Sequence, residues 1–431
     1  MVAFGLLVAW SNAIGGLILA LLKQIGWTNN TTTAIFTSLT TAGMFFGALL
    51  GGVVGDRIGR RKSYMLFVAL HILTMVIGAL SPNMTFFIVV RFFMGFALGG
   101  LLTILFASWT EYVPSRDRGS WSARASFLGN WSYPIASLIA AFLGPIVAPE
   151  LNWRIQLLIP AALSFIVLVV VWRVFPESPR WLESKGRYAE ANELLDQIEI
   201  TVEKSTGKKL EPAPDGAEEL SVEGVQIPYS ALFKGTLLKR VILGSFVLIA
   251  MNVVQYTLIN WLPTMLLQQG INLQDSVVLN TMSMFGAPVG IFIAVFIIER
   301  FPRKVFGVGL LVIVAVLGYI YSMQTSLVWL SILGFFLITF VYMYVCFASA
   351  VYVPEIWPTA AKLRGAGLAN AVGRVSGIAA PFAVASLLTS SGMPGVFIFL
   401  GATAVVSAVV ILVLGVETRG VSIEELSVVD Q

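Results

Sequence analysis

Long apolar runs alternate with short polar breaks along the whole chain. The runs are about 18 to 25 residues long, enough for a helix to cross a hydrocarbon layer of roughly 30 Å. Twelve are predicted, at 2–22, 32–55, 63–81, 84–108, 119–147, 155–175, 240–267, 274–298, 305–323, 326–352, 366–389 and 394–415. The pattern therefore predicts an all-α polytopic membrane protein with twelve transmembrane helices.

The only long polar interruption divides the chain into two equal sets of spans. We predict an N-terminal six-helix bundle over 1–175, a cytoplasmic central loop over 176–239, and a C-terminal six-helix bundle with a short tail over 240–431. The central loop should contain an amphipathic helix around 189–200. From 206 to 228 it is rich in Pro, Gly and Glu, so this part is expected to be mobile.

Charged landmarks recur in both halves in the same order. The pairs Asp56 and Glu299, Glu111 and Glu355, and Glu177 and Glu417 are separated by 243, 244 and 240 residues. Nearly constant spacing indicates a duplicated six-span unit. We therefore expect two pseudo-twofold-related bundles that face each other across a central cavity.

Composition narrows the function classes. The sequence is 57% hydrophobic and 12% charged, against about half and a quarter in average globular proteins. Its one cysteine, Cys346, excludes a disulfide within the chain, and its one histidine, His71, leaves little scope for a metal site. There is no phosphate-binding glycine loop ending in Lys-Ser or Lys-Thr, which argues against direct drive by ATP. We expect no cofactor, no metal and no nucleic-acid partner.

The positive charge is distributed unevenly between the two sides. Of 27 Lys and Arg residues, only Lys23 and Arg154 fall in the predicted outside loops, and Arg91, Arg124 and Arg374 fall within spans. The remainder lie on the other side. The positive-inside rule then places both termini in the cytoplasm.

The charged turn Gly52-Val53-Val54-Gly55-Asp56-Arg57-Ile58-Gly59-Arg60-Arg61-Lys62 has a weaker echo at 298–304. Carboxylate–arginine pairs at this face are candidates for a gate that holds the halves together when the inside is closed. The proposed pairs are Glu111 with Arg118, Glu355 with Arg364, and Glu177 with Arg180; ordinary solvated loop charge is the alternative. The candidate gating residues are Asp56, Arg57, Arg60, Arg61, Glu111, Arg118, Glu177, Arg180, Glu299, Arg300, Glu355 and Arg364.

These landmarks together resemble the major facilitator superfamily over essentially the whole chain. The Gly-X-X-X-Asp-Arg-X-Gly-Arg-Arg turn is the superfamily's signature. The stretches 176–182 (Pro-Glu-Ser-Pro-Arg-Trp-Leu) and 417–420 (Glu-Thr-Arg-Gly) look like the sugar-porter and organic-ion branches, and 91–95 (Arg-Phe-Phe-Met-Gly) resembles their fourth-helix motif. Within the group the chain is most similar to bacterial metabolite:proton symporters and to inner-membrane metabolite transporters of enteric bacteria.

The resemblance implies proton coupling, with one departure. Many relatives carry an acidic residue in the first helix as the proton site, whereas this chain has Trp10-Ser11-Asn12 there. Uncoupled uniport or exchange therefore stays open. Relatives also have a polar leader before the first helix, so we expect the natural start to lie upstream.

Three arginines lie within the predicted spans, where each costs about 2.5–3.5 kcal/mol at a helix centre. Away from the span ends there is no Asp or Glu to neutralise them. Arg124 is roughly 7.5 Å deep and can snorkel. Arg91 is roughly 10 Å deep and is a candidate for coupling or gating, with a packing or helix-carbonyl contact as the alternative. Arg374 is roughly 13.5 Å deep, close to the midplane. Its guanidinium suits an anionic substrate, and the resemblance agrees, since organic-anion carriers use an eleventh-helix arginine in this context.

Polar residues of span seven are the other binding candidates. Asn252, Gln255 and Tyr256 share one helix face, and Asn260 follows. Such polarity should line a cavity or another helix. Tyr342 and Tyr344 of span ten and Trp10 and Asn12 of span one are candidate walls, with core packing as the alternative. His71, roughly 12 Å deep, is either a coupling residue or a neutral hydrogen-bonded histidine.

We therefore predict a secondary active transporter of a small organic anion or related metabolite in the bacterial inner membrane, working by alternating access. Arg374 would bind the anion, with Arg124 at the cavity. Its partners would be the small-molecule substrate, membrane lipid and, from the resemblance, protons; we expect a monomer. A neutral sugar or polyol is the rival substrate. A membrane enzyme or a non-transporting receptor is the rival class, but the sequence offers neither a catalytic constellation nor an output domain.

Overall fold

The computed structural model describes residues 2–112, 118–207, 228–358 and 361–419. Within these ranges the chain is helical and contains no strand. The helices are α1 (Val2–Gln24), α2 (Asn30–Ile58), α3 (Arg60–Ala79), α4 (Met84–Tyr112), α5 (Arg118–Asn130), α6 (Ser132–Leu143), α7 (Pro149–Val174), α8 (Pro179–Ser184), α9 (Tyr188–Thr206), α10 (Gly235–Gln268), α11 (Leu273–Met284), α12 (Gly286–Ile297), α13 (Arg303–Ser322), α14 (Leu327–Cys346), α15 (Val353–Glu355), α16 (Lys362–Ser390) and α17 (Gly392–Leu414).

Twelve spans can be traced through the described residues. Ten helical stretches are long and apolar enough to cross a membrane. Helix α1 and the consecutive pair α5–α6 complete the twelve, and a π-helical segment, Phe347–Tyr352, joins α14 to α15. The predicted twelve-helix fold is confirmed, and the predicted amphipathic helix is α9. Most of the loop expected to be mobile, 208–227, lies outside the described residues.

Two spans that were predicted as continuous are each broken once. The breaks fall at Trp131 between α5 and α6 and at Phe285 between α11 and α12. Each precedes a proline by three residues, Pro134 and Pro288, and a proline disrupts the preceding turn because it lacks an N–H and clashes with the carbonyl four residues back. The Trp131 and Phe285 rings meet edge-on at 6.2 Å, so the two breaks face each other across the halves.

Close backbone packing builds the N-terminal half. A Cβ on Gly43 or Gly47 of α2 would lie about 2 Å from a carbonyl oxygen of α4, at Phe92 or Phe96. Only glycine permits this approach, which is a common device where helices pack without a hydrophobic driving force.

The two ends of the bundle differ in how the halves meet. We call the end that carries the charged turns at 56–62 and 299–304 the basic end, and the opposite end the far end. At the far end, polar contacts join the halves: Lys23 Nζ donates to Gln268 Oε1 (3.3 Å), Asn30 Nδ2 donates to Thr389 Oγ1 (2.8 Å), and Gln274 Nε2 donates to the Ala141 carbonyl (3.0 Å). These contacts close the far end.

Towards the basic end the halves separate. On α2, the face towards α16 is buried at Ala34, Ser38 and Thr41, and the Ser38 hydroxyl donates to the Ile378 carbonyl at 2.7 Å. Further along that face, Phe45 is half-buried and Leu49 is 57% exposed. The described contacts between the halves are thus concentrated at the far end, and we call the space between the halves towards the basic end the cleft.

Candidate functional site

Five polar side chains from four helices meet where the cleft reaches the far-end seal. Tyr133 of α6 and Tyr342 of α14 pack ring against ring at 5.6 Å, one from each half. Tyr133 lies beside Asn12 of α1, and Tyr342 lies beside Gln255 of α10, with Tyr256 near both tyrosines. We call Asn12, Tyr133, Gln255, Tyr256 and Tyr342 the central polar cluster.

The Tyr342 hydroxyl lies close to Tyr133 and Gln255 but is poorly aligned with both. The residue is 1% exposed, and within the described residues its hydroxyl makes no hydrogen bond of good geometry. A buried polar group without a partner costs free energy unless something supplies the missing bond. The Tyr342 hydroxyl can therefore donate a hydrogen bond to a further polar group or accept one from it.

Arg374 lies on α16 at the edge of the cleft. It is half-buried and one helical turn from Ile378, whose carbonyl contacts α2. Residues four apart share a helix face, so Arg374 lies on the side of α16 that faces the other half. Among the residues that the structure describes, its guanidinium makes no hydrogen bond or ion pair.

The two asparagines of span seven, Asn252 and Asn260, lie in different surroundings. Asn252 is buried, donates to the Leu248 carbonyl at 2.8 Å, and lies against Gly373 of α16, where a Cβ would be 2.9 Å from its Nδ2. Asn260 donates to the Tyr256 carbonyl at 2.9 Å. The polar face thus lines the α10–α16 interface at Asn252 and the central polar cluster at Gln255 and Tyr256.

Arg91 lies behind the first helix and is sealed from the cleft. It is 1% exposed; Nη2 donates to the Ser11 carbonyl at 3.2 Å, and its guanidinium lies over the Phe36 ring at 5.1 Å. The Ser11 hydroxyl contacts His71 Nε2 at 3.0 Å, while His71 Nδ1 has no partner among the described residues. Arg91, His71 and Ser11 thus form one buried group.

Three candidate wall residues occupy less central positions. Tyr344 is 3% exposed and donates its hydroxyl to the Val247 carbonyl at 3.1 Å, so it packs inside the C-terminal half and is not a cavity wall as predicted. Trp10 is half-buried against the hydrophobic core. Arg124 is exposed on α5, closer to the basic end than the cluster.

The charged turn of the N-terminal half is organised around a helix start. Asp56 and Arg60 form an ion pair of 2.7 Å. Glu177 Oε1 accepts from the backbone N–H groups of Arg60 (2.6 Å) and Arg61 (3.1 Å), so it caps the first turn of α3. A carboxylate there is stabilised by the unpaired N–H groups and the helix dipole.

The C-terminal half repeats this arrangement. Glu299 pairs with Arg303 at 2.9 Å, four residues on, as Asp56 does with Arg60. Glu417 accepts from the backbone N–H groups of Arg303 (2.8 Å) and Lys304 (3.3 Å) and so caps α13. The predicted pairing of Asp56 with Glu299 and of Glu177 with Glu417 is therefore confirmed as equivalent geometry in the two halves.

The predicted gate pairs can be compared with the ion pairs that the structure shows. Glu355 accepts from Arg303 Nε at 3.1 Å, and the Arg364 guanidinium lies over the Tyr229 ring at 4.9 Å. Arg364 has further partners, so its predicted pairing with Glu355 stays a prediction. Three ion pairs between described residues at the basic end each join partners within one half, namely Asp56–Arg60, Glu299–Arg303 and Glu355–Arg303, and the pair Arg187–Glu190 lies within the central loop.

The other candidate gating residues contribute less to this arrangement. Arg57 is exposed, and the Arg300 carbonyl accepts from Arg419 at 3.1 Å. Glu177 lies two residues before the start of α8, Arg180 is the second residue of that helix, and both have further partners. The side chains of Glu111 and Arg118 lie outside the described part of the structure.

Sequence reasoning missed three residues that the structure brings into these groups. Tyr133 joins the central polar cluster, Ser11 joins Arg91 to His71, and Arg303 links Glu299 to Glu355. A signal existed for Arg303, since it follows Glu299 by the same four residues that separate Arg60 from Asp56. Tyr133 offered only a polar ring beside a proline within an apolar run.

Comparison with known proteins gives a family match over almost the whole chain. The family profile described as sugar (and other) transporter matches residues 2–429. YdjK of Escherichia coli (strain K12), a protein named for metabolite transport, is 64% identical, with 99% of this chain and 93% of the relative covered. The inner membrane metabolite transport protein YdjE of the same strain is 42% identical over 99% and 93%.

More distant matches carry more specific names. The niacin transporter NiaP of Acinetobacter baylyi is 28% identical, over 90% of this chain and 86% of that relative. Among solved structures, the partially occluded inward-open conformation of the xylose transporter XylE from E. coli superposes with a TM-score of 0.74 at 17% identity, covering 98% of this chain and 97% of that one. At that identity the likeness concerns the fold.

Proposed function

Because the chain belongs to the sugar (and other) transporter family of the major facilitator superfamily, we propose that it carries a small organic anion across the inner membrane by alternating access, with Arg374 binding the anion. Membership makes it a multi-pass metabolite transporter rather than an enzyme. The nature of the cargo is the step that we infer.

The single observation that carries the anion proposal is the state of Arg374. Its guanidinium is half-buried on the side of α16 that faces the other half, and no described residue bonds or neutralises it. An arginine at this depth is costly unless it has a partner. A carboxylate offers two oxygens that match the planar fork of the guanidinium, so a bound anion would supply that partner.

The central polar cluster would then bind the rest of the substrate. It presents the three phenol groups of Tyr133, Tyr256 and Tyr342 together with the amides of Asn12 and Gln255. Arg374 lies on α16, which packs against α10 through Gly377 and Tyr256. A flat acid with a polar ring would suit this combination, and niacin, the cargo in the name of one relative, is such an acid.

A neutral sugar or polyol is the second candidate. Amide and hydroxyl side chains are suited to hydroxyl groups, and the xylose transporter XylE shares the fold. If the cargo is a sugar, Arg374 would have a structural role instead.

Coupling and topology follow the same proposal. We place the basic end in the cytoplasm, with both termini there, because the Lys and Arg residues concentrate on that side. The described conformation would then face inwards. The working unit would be a single chain surrounded by lipid, and the coupling ion would be the proton. Uncoupled uniport or exchange is the alternative, because Ser11 lies near Arg91 at a place where a carboxylate would be expected.

The test is counterflow in proteoliposomes with radiolabelled nicotinate, benzoate and xylose, for the wild-type protein and three variants. Losing a charge-assisted hydrogen bond costs about 1.5–3 kcal/mol, so Arg374→Ala should lower kcat/KM for the acid about 10- to 150-fold. Arg374→Lys should retain part of the activity because it keeps the charge but loses the fork.

Lys185→Ala is the control, because Lys185 is exposed outside the bundle and should leave transport unchanged. Normal acid transport by Arg374→Ala would contradict the role of that arginine. Exchange of xylose without exchange of either acid would favour the sugar alternative.

A further inference from the structure

A cavity of about 720 Å³ lies at the basic end of the N-terminal half, away from the central cleft. Its walls are the first turn of α3, the last turn of α7, the connector after α7, and helices α8 and α9. Because α3 begins and α7 ends at this level, the cavity lies where the hydrocarbon layer meets water. It plays no part in the transport site proposed above.

Several basic side chains that line this cavity have hydrogen-bond donors without a described acceptor. Lys62 and Arg173 make no hydrogen bond or ion pair with any residue that the structure describes. Arg61 donates through Nη2 to the Trp172 carbonyl, but its Nε is buried and has no partner in the described part of the chain. Three cations therefore line one side of the cavity with donors to spare.

Two of the three carboxylates that line the cavity are bound to other groups. Glu177 is engaged by the backbone N–H groups of Arg60, Arg61 and Ser178. Glu190 is paired with Arg187. Of the lining acids only Glu193, exposed on α9, lacks a described partner. The unpaired charge of the cavity wall is thus positive.

The remaining wall is apolar and continues onto the lipid-facing surface. Trp172 is 60% exposed and Val174 is 74% exposed, and both follow the exposed Val170 along α7. Ile58 contributes from the opposite side of the cavity. A ligand with a negative head and a long apolar tail would satisfy both parts of the wall at once.

We propose that this cavity binds the headgroup of an anionic phospholipid. The phosphodiester would lie against Arg61, Lys62 and Arg173, and an acyl chain would run along Trp172 and Val174. Basic residues near a bilayer surface attract anionic lipid, and tryptophan is favoured at the membrane interface. Such a lipid would bridge the start of α3 to the end of α7 and to α9.

The experiment is native mass spectrometry of the purified full-length protein with equal concentrations of dioleoyl phosphatidylglycerol and dioleoyl phosphatidylethanolamine. The wild type should retain more phosphatidylglycerol than phosphatidylethanolamine. The double variant Lys62→Gln with Arg173→Gln should bind phosphatidylglycerol about fivefold less for each base removed. Neither residue has a described partner, so both substitutions should leave the fold intact.

Two control variants separate the site from bulk charge and from misfolding. Lys185→Gln with Lys204→Gln removes the same charge from exposed positions outside the cavity and should bind as the wild type does. Lys62→Arg with Arg173→Lys keeps the charge and should retain binding. Equal retention of phosphatidylglycerol by the Gln variant and the wild type would overturn the proposal, as would a wild type that retains both lipids equally.

A last arm distinguishes lipid from a soluble phosphate. Glycerol 3-phosphate and inorganic phosphate, which lack the acyl chain, should not raise the melting temperature, whereas phosphatidylglycerol should raise it. If glycerol 3-phosphate stabilises the wild type as much as phosphatidylglycerol does, the site belongs to a soluble phosphate compound and the lipid assignment is wrong.

Discussion

At the scale of single residues, Gly59 couples the charged turn to the following helix. Its φ of +95° is a left-handed conformation that other residues adopt at a cost, and a Cβ there would lie 2.3 Å from Glu177 Oε2. The glycine therefore has two structural roles. It turns the chain between α2 and α3, and it leaves room for the carboxylate that caps α3.

Gly59→Ala should destabilise the protein more than the backbone cost alone. Both Gly59 and Gly26 have positive φ, but nothing lies within 4 Å of a Cβ on Gly26. Gly26→Ala should cost about 1 kcal/mol. Gly59→Ala should cost about 1 kcal/mol more, because the displaced Glu177 no longer caps α3.

Thermal unfolding of both alanine variants in the same detergent would measure this difference. Equal decreases in melting temperature would show that the Glu177 carboxylate moves aside without loss.

The contacts around Arg91 show how the free-energy cost of burying its charge is offset. Its cation is offset by the Ser11 carbonyl and the Phe36 ring. Carbonyl and aromatic contacts each provide part of the stabilisation that a carboxylate would give. A residue can thus be charged and buried here without being exposed to the substrate.

At the scale of helices, the twin caps relate the two halves. Glu177, just after α7, caps α3, and Glu417, just after α17, caps α13. In each half the end of the sixth span therefore holds the start of the third. This arrangement links the ends of helices that are far apart in sequence.

Each cap should stabilise its own helix start and leave the other unchanged. Glu417→Ala should weaken hydrogen-exchange protection in the first turns of α13 by about 0.5–2 kcal/mol, and Glu177→Ala should do the same for α3. Exchange measured by mass spectrometry on both variants would test this crossed pattern.

Glu183→Ala, at an exposed position of α8, is the control and should change neither helix. Loss of protection in both helices from one substitution would mean that the caps act through the whole bundle instead of locally.

At the scale of the whole molecule, the far-end seal defines the conformational state. Asn30 and Thr389 come from different halves, and their side chains are 2.8 Å apart. In an alternating-access cycle this contact has to break when the far end opens. A covalent bond at this point should therefore arrest transport.

Asn30→Cys with Thr389→Cys, in a Cys346→Ser background, should form a disulfide that abolishes counterflow, and reduction should restore it. The two single-cysteine variants are the controls and should transport normally under oxidising conditions. Undiminished counterflow by the fully oxidised double variant would show that the far end need not open at this contact.

The sequence by itself determined the number of spans, the twofold repeat and the charge asymmetry. Each depends on local composition: a span needs only enough apolar residues in a row, and Asp56 and Glu299 are visible as charges between apolar runs. The repeat even anticipated equivalent geometry at Glu177 and Glu417, because a duplicated unit repeats its contacts.

Tertiary structure alone decided which side chains meet. Tyr344 lies two residues after Tyr342, yet it packs inside its own half while Tyr342 joins Tyr133. Glu355 bonds Arg303 of α13, a contact that the sequence pattern did not indicate. A helix surrounded by lipid and by other apolar helices has no strong polar face to fix its rotation, so the sequence pattern leaves that rotation open. Packing of the twelve helices fixes it, and with it the membership of the site.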